Sequence, residues 1–332
     1  MIFDNKKILI TGGAGSVGQA LIKEILKYSG NTIRVFDISE NEISKLRHNF
    51  MGEKRLRYLI GDVRDLKRLE LAMEGIDIVI HLAAMKHVYT CEYNPFEAIK
   101  TNIDGLQNVI DCARNENVEK VIFTSTDKAA RPLSVMGMTK LIGEKLISSA
   151  NYYKGSSTTS FASVRFGNVA GSNGSVVPIF KKQILNSEPL RITDMKMTRF
   201  VITMQEAVSL ICQAVQLMQG GEVFVWKMRT LKITDLADSM IGRYAGGRQV
   251  EVVITGKVEG EKIHEDIMSS EELSRSVELD NLYIIFPMID YSNIKSRYQN
   301  AKPVENPIIA SNMGTHMSSD EINKLLGEEK DL

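Results

Sequence analysis

A glycine turn between an apolar strand and an amphipathic helix constrains this chain most. Ile8-Leu9-Ile10 is a continuous apolar run, as a strand buried on both faces of a parallel sheet requires. Gly12, Gly13, Gly15 and Gly18 follow, with Ser16 and Val17 inside the turn. Ala20, Leu21, Ile25 and Leu26 then mark one helix face to about Lys27. Glycines permit the tight turn and let the backbone approach a pyrophosphate, which sits on the helix N-terminus. A second strand, 33–36, ends at Asp37, nineteen residues past Gly18. Without that context the glycines would be only a turn; strand, turn, helix and acid together form a dinucleotide fingerprint.

Asp37 fits a carboxylate that accepts hydrogen bonds from the adenosine ribose hydroxyls and repels a 2′-phosphate, which favours NAD over NADP. Its plainer role is a helix cap, for which Ser39 also qualifies. Arg34 lies inside the strand and is not counted as a phosphate clamp. A third strand, 57–60, ends at Gly61-Asp62-Val63, where Asp62 is either an adenine contact or a turn residue. A fourth, 76–80, runs into His81-Leu82-Ala83-Ala84 at the same edge, and two more lie near 120–123 and 161–166. Strands alternating with helices at this spacing predict an α/β fold with a Rossmann-type, doubly wound parallel sheet. We assign residues 1–166 to an NAD-binding Rossmann domain, to which later strands are free to return. A smaller mixed α/β substrate-binding region follows over 167–300, and 301–332 reads as a polar peripheral extension.

Bulk properties exclude several classes. Basic and acidic residues balance at 41 each, so nothing favours nucleic acid or a membrane surface as partner. No apolar run approaches the roughly 20 residues that span a bilayer. Residues 1–7 do not resemble a signal peptide. The three cysteines, Cys91, Cys112 and Cys212, lack metal-ligand spacing and suit a reducing compartment. The expectation is a cytoplasmic protein with no metal.

The stretch Thr124 to Lys140 holds the candidate chemistry. It follows the apolar run 121–123 and places Ser125, Thr126, Asp127 and Lys128 at the carboxyl end of a strand, where open α/β sheets put their sites. Met136 and Lys140 lie one turn apart on the helix that follows. Lys86 and His87 follow the fourth strand. Lys86 would line a substrate site or pair with Glu92 or Glu97; His87 reads as structural. Met195, Met197, Met204 and Met218 read as core fillers, and Lys181-Lys182 as a solvated helix face.

Several stretches resemble the extended short-chain dehydrogenase/reductases, and within them the UDP-N-acetylglucosamine 4,6-dehydratases. They are A-A-M-K-H-V after His81, T-N-I-D-G (101–105), S-T-D-K-A (125–129), V-R-F-G-N-V-A-G-S-N-G-S-V-V-P (164–178), T-D-M-K-M-T-R-F (193–200) and G-E-K-I-H-E (260–265). The resemblance implies NAD-dependent dehydration of UDP-N-acetylglucosamine to a 4-keto-2,6-dideoxy sugar nucleotide for bacterial glycan synthesis, by a homo-oligomer. It implies Asp127 as acid at carbon 6 and Lys128 as base at carbon 5, with the Lys128 amine depressed toward neutrality. Thr126 would meet the carbon 4 oxygen and Lys140 the nicotinamide ribose. It further places Lys86, His87, Asn168, Val177, Arg199, Lys257 and Glu261 around the sugar nucleotide. Two departures stand out. Met136 occupies the position of the superfamily's tyrosine, a replacement similar to one branch that retains configuration at carbon 5, whereas tyrosine there accompanies inversion. Val258 occupies the arginine slot of the family's G-x-R-x-G-E-K, leaving Lys257 or Arg199 for pyrophosphate. The acceptor of the carbon 4 hydroxyl proton stays open among Lys128, Asp127 and a water held by Thr126.

Overall fold

The computed structural model describes residues 2–172, 174–256, 258–289 and 291–328. The six apolar runs become parallel strands: β1 (Lys7–Thr11), β2 (Thr32–Asp37), β3 (Leu56–Ile60), β4 (Ile78–His81), β5 (Lys120–Thr126) and β6 (Ser160–Phe166). Their order across the sheet is β3-β2-β1-β4-β5-β6, so the winding direction reverses between β1 and β4. A crevice opens at the carboxyl edge at such a reversal. Alternation along the strands feeds two cores, with Ile8, Ile10, Ile78, Ile80 and Ile122 on one face. Leu9, Val79, Val121 and Phe123 fill the other.

β5 outruns its apolar stretch. It pairs with β6 through Thr124↔Val164, Ser125↔Arg165 and Thr126↔Phe166. The main-chain ladder tolerates polar side chains, so the hydroxyls are carried to the sheet edge on a rigid strand. Helix Val135–Tyr153 then starts with Ser134 as its cap, the hydroxyl accepting from the Gly137 N–H at 3.1 Å. Glu92 accepts from the Val135 N–H at 2.6 Å. A Cβ at Gly137 would stand 2.4 Å from the Lys128 carbonyl oxygen, so only glycine lets this helix press against the turn carrying Asp127 and Lys128.

The chain returns to the same sheet after residue 166. Strand Val223–Trp226 pairs parallel with β6. Leu282–Ile285 adds antiparallel to that strand, Ser276–Leu279 antiparallel to Leu282–Ile285, and Lys302–Pro303 antiparallel to Ser276–Leu279. Two small sheets form beside the main one: Arg229–Lys232 with Thr198–Ile202 and Asn168–Val169, of which Asn168 and Val169 line the cleft at its carboxyl edge, and Leu190–Ile192 with Val252–Ile254. Met197, Met204 and Met218 are buried as expected of core fillers, while Met195 is exposed.

The last segment is not peripheral, contrary to its polar composition. Met317, Ile322, Leu325 and Leu326 are buried against Val177, Phe180 and Leu236. Ser311 is fully buried, its N–H donating to the Glu265 carbonyl at 2.8 Å while its hydroxyl accepts from the Glu265 N–H at 2.8 Å. A few apolar residues at helical spacing suffice to anchor a segment whose average is polar.

One buried charge cluster ties these parts together. Arg165, on β6 and 0% exposed, donates to both oxygens of Glu144 on helix Val135–Tyr153 and both of Glu272, and to the Ile267 carbonyl. Burial pushes the Glu272 carboxyl up, but the Arg165 charge and hydrogen bonds outweigh it and hold it below the usual carboxylate range. A depressed folded-state pKa stabilises above the ordinary carboxylate pKa and stops doing so as pH falls through the depressed one. Arg165→Met strands two buried carboxylates and is expected to cost about 3–5 kcal/mol at neutral pH. In urea titrations that deficit should narrow below about pH 4, where unpaired carboxyls protonate; a deficit independent of pH would contradict this account.

Candidate active site

A cleft of about 850 Å³ opens at the β1/β4 reversal. Gly12, Gly15, Ser16, Val17, Gly18, Asp37, Asp62, Val63, Ala83 and Ala84 line one half of it. A Cβ at Gly12 (φ +66°) would stand 2.6 Å from the Ala83 N, so β1 and β4 meet here at glycine distance. At Gly15 a Cβ would meet the Gly12 carbonyl oxygen at 3.3 Å and otherwise intrude on the cleft. Helix Ser16–Ile25 begins there with no side-chain cap. Its first N–H groups are thus offered to an anion, as a dinucleotide pyrophosphate requires.

Asp37 closes this half. Its Oδ2 accepts from the Ala14 N–H at 3.1 Å and its Oδ1 from the Ser39 N–H at 3.0 Å. Ser39 is the helix cap, accepting from Glu42 N, so the carboxylate is held at the turn rather than used as a cap. Arg34 donates to the Ala72 and Glu74 carbonyls and takes no part in the cleft lining. Asp62 accepts from the Arg64 N–H at 2.9 Å, so it both shapes its turn and lines the cleft. These residues fit a dinucleotide with a free ribose 2′-hydroxyl.

The other half is built from Thr126, Lys128, Met136, Lys140, Lys86, His87 and Asn168. Lys140 is buried; its Nζ donates to the Thr124 carbonyl at 2.8 Å and lies 4.6 Å from the Phe123 ring centroid. Burial pushes this amine down to about 8, against the pull of Glu144 and Cys91. Met136 is buried beside Cys91 and Ala98, its thioether offering no proton. Asn102, in a π-helical turn, accepts from the Met85 N–H at 2.8 Å and donates to the Thr139 hydroxyl at 3.0 Å. It thereby joins the loop after β4 to the helix of Lys140.

Asp127 is fully buried behind the wall. Its Oδ1 accepts from the Thr126 hydroxyl at 2.9 Å and from the Lys128 Nζ at 3.0 Å. The Lys128 Nζ also lies 3.3 Å from Glu265 Oε1. This corrects the expectation of a depressed Lys128. Burial does work to push the amine down, but the Asp127 and Glu265 carboxylates outweigh it, Arg199 opposing them, and the amine stands above the ordinary lysine value. Only one of those carboxylates adjoins Lys128 in sequence; Glu265 closes the stretch 260–265 and reaches the site through the tertiary fold. No local spacing could have signalled it.

Other expected residues are placed differently. Val177 and Arg199 line a small neighbouring cavity that shares Asn168, Val169 and Ser175 with the cleft. Arg199 donates to the Thr198 and Ile263 carbonyls at 2.8 and 3.2 Å, and its Nε lies 4.0 Å from Glu265, so it is largely turned inward. Glu261 accepts from the Thr193 hydroxyl at 3.4 Å and lines neither cavity. Lys257 lies outside the described residues. Glu97 pairs with Arg64 and Lys100. Lys181 lies 5.3 Å from the Tyr244 ring centroid, and Lys182 is exposed beside it. Among the described residues, the buried Ser125 Oγ, Asn168 Oδ1 and Ser175 Oγ of the cleft lining have no hydrogen-bond partner, three polar atoms suited to a polar ligand.

The family described as "Polysaccharide biosynthesis protein" matches residues 8–287. The chain belongs to this family. A UDP-N-acetylglucosamine 4,6-dehydratase (inverting) of Campylobacter jejuni is 44% identical over 291 residues, covering 87% of this chain and 85% of the relative. A UDP-glucose 4-epimerase of Rickettsia bellii is 38% identical over 288 residues, covering 86% and 84%. The solved structure of Pen from Bacillus thuringiensis is 39% identical and superposes with a TM-score of 0.92 over 99% of both chains. The chain is thus of the extended short-chain dehydrogenase/reductase kind, among nucleotide-sugar dehydratases and epimerases. Among the described residues, no helix is long and apolar enough to cross a membrane.

Cofactor choice rests on Asp37. Asp37→Arg is expected to weaken NAD binding and admit NADP, as measured by calorimetry. Preference of the unaltered protein for NADP would overturn the reading of this carboxylate.

Proposed function

We propose that the protein converts UDP-N-acetylglucosamine into UDP-2-acetamido-4-keto-2,6-dideoxyhexose, keeping the carbon 5 configuration. The observation that carries this is the Asp127–Lys128 pair, an acid and an amine 3.0 Å apart with the amine reaching the cleft. Losing the carbon 6 hydroxyl requires removal of the carbon 5 proton, which is acidic only when carbon 4 is a ketone. The chemistry supplied by bound NAD is removal of hydride from carbon 4 and its return at carbon 6.

The protein's own groups do the rest. Thr126 meets the carbon 4 oxygen, and its hydrogen bond to Asp127 Oδ1 offers the released hydroxyl proton a route to that carboxylate. Asp127, now a carboxylic acid, protonates the leaving carbon 6 hydroxyl by way of the Thr126 hydroxyl, which lines the cleft. Lys128 as a neutral amine takes the carbon 5 proton and returns it. Lys140 holds the nicotinamide ribose and adds positive charge. Met136 has no proton to deliver to the opposite face, which supports retention, although the Campylobacter relative carries an inverting name. A 4-epimerase shares the first oxidation but has no use for an acid–base pair at carbons 5 and 6.

Incubation with UDP-N-acetylglucosamine should yield a product lighter by one water, with ring-proton couplings of the gluco configuration. Unchanged mass with altered stereochemistry would mean epimerisation, unchanged substrate a non-catalytic protein, and an altered carbon 5 configuration an inverting dehydratase.

Single substitutions should separate the roles. Lys128→Met keeps the side chain's length, and should abolish turnover and deuterium uptake at carbon 5 in heavy water. Asp127→Asn should slow elimination by about 10²-fold or more. Near-normal turnover in Lys128→Met would move the base elsewhere.

A further inference from the structure

The dehydratase reading, on which this inference rests, leaves a proton unaccounted for. Lys128 must be neutral when it meets carbon 5, yet it lies 3.0 and 3.3 Å from two carboxylates, which favour its ammonium form. Asp127 cannot take that proton, because it receives the one released from the carbon 4 hydroxyl through Thr126. Two protons must therefore be held at once, and a second acceptor is required within reach of the Lys128 Nζ.

Glu265 meets that requirement. It is 1% exposed, its Oε1 lies 3.3 Å from the Lys128 Nζ, and its Oε2 has no hydrogen-bond partner among the described residues. The Lys128 side chain is 22% exposed, so the amine stands between the cleft and this carboxylate. The backbone of Glu265 is locked on both sides. Ser311 pairs with its N–H and its carbonyl, and the Ile263 carbonyl accepts from the Thr198 N–H at 3.0 Å. Such anchoring is more than a solvated charge needs.

We propose that Glu265 is the proton acceptor for Lys128, and so sets the charge state of the base. An N–H bond of Lys128 breaks, an O–H bond forms on Glu265, and the electron pair stays on nitrogen. When Asp127 is protonated it no longer holds the Lys128 charge, and burial then disfavours the ammonium. After elimination Lys128 returns its proton to carbon 5 and recovers its own from Glu265. The carbon 4 hydroxyl proton leaves with the water by way of Asp127, so the balance closes. Burial, with Asp127 adding to it, holds the Glu265 carboxyl above the usual range, against Lys128, Arg199 and Lys262. Those are the charged groups facing it; Lys262 is itself bonded to Asp266 and the Ala130 carbonyl. Glu265 acts through Lys128 and is a positioning residue.

The test is Glu265→Gln, followed by turnover of UDP-N-acetylglucosamine across pH and by deuterium uptake at carbon 5. The expected result is a loss of about 10²-fold or more in kcat with KM little changed. The rate should rise toward alkaline pH, because Lys128 must then lose its proton to solvent, while the wild-type profile is flat there. Wild-type kcat and profile in Glu265→Gln, alongside a dead Lys128→Met, would overturn the inference alone. A wild type that removes no water overturns the dehydratase reading and this inference with it. Should the Gln variant fold poorly, Glu265→Asp keeps the charge. It should show reduced kcat with the wild-type profile, and an alkaline-rising profile in it would equally count against Glu265.

Discussion

A buried arginine cannot be left unpaired, and much of this structure follows from how Arg165 is satisfied. It sits on β6 with its partners supplied by two other parts of the chain, Glu144 on the helix of Lys140 and Glu272 beyond residue 260. Three segments far apart in sequence are thus held in one register by charge-assisted bonds in a dry interior. The helix that presents Met136 and Lys140 and the segment that presents Glu265 cannot shift independently. Loss of Arg165 would strand two buried carboxylates, whereas loss of either carboxylate leaves the other paired.

That register lets two lysines in one cleft take opposite characters. Lys140 meets a carbonyl and an aromatic face, with its nearest carboxylate already paired to Arg165, so burial dominates and its amine falls to about 8. Lys128 meets two carboxylates directly, which outweigh burial and raise it. Neighbours push titratable groups apart in this way where acid and base must coexist. Met136, in the place of the superfamily's tyrosine, is an apolar thioether with no proton to exchange.

The C-terminal segment belongs to the same design. Ser311 holds the backbone of Glu265, and its hydroxyl also meets the Thr198 hydroxyl at 2.7 Å. Residues that look like a polar tail thus hold the carboxylate that lies beside Lys128. The apolar face of helix Ser319–Glu328 keeps them there, burying Ile322 and Leu325.

The parallel sheet, the glycine turn, Asp37 and the cluster Thr126-Asp127-Lys128 were legible in the sequence, because each is local. Strand periodicity, turn chemistry and the position of a residue at a strand end are set by neighbours within a few positions. Met136 and Lys140 were legible for the same reason, being one helical turn apart. The ionic state of Lys128 was not, since one of the two carboxylates that raise it, Glu265, adjoins it only in space. Nor were the return of Val223–Trp226 and the strands beyond it to the main sheet, or the burial of Ser311. Each depends on which segments meet in space, and electrostatics in a low-dielectric interior is decided by distance, not by order along the chain.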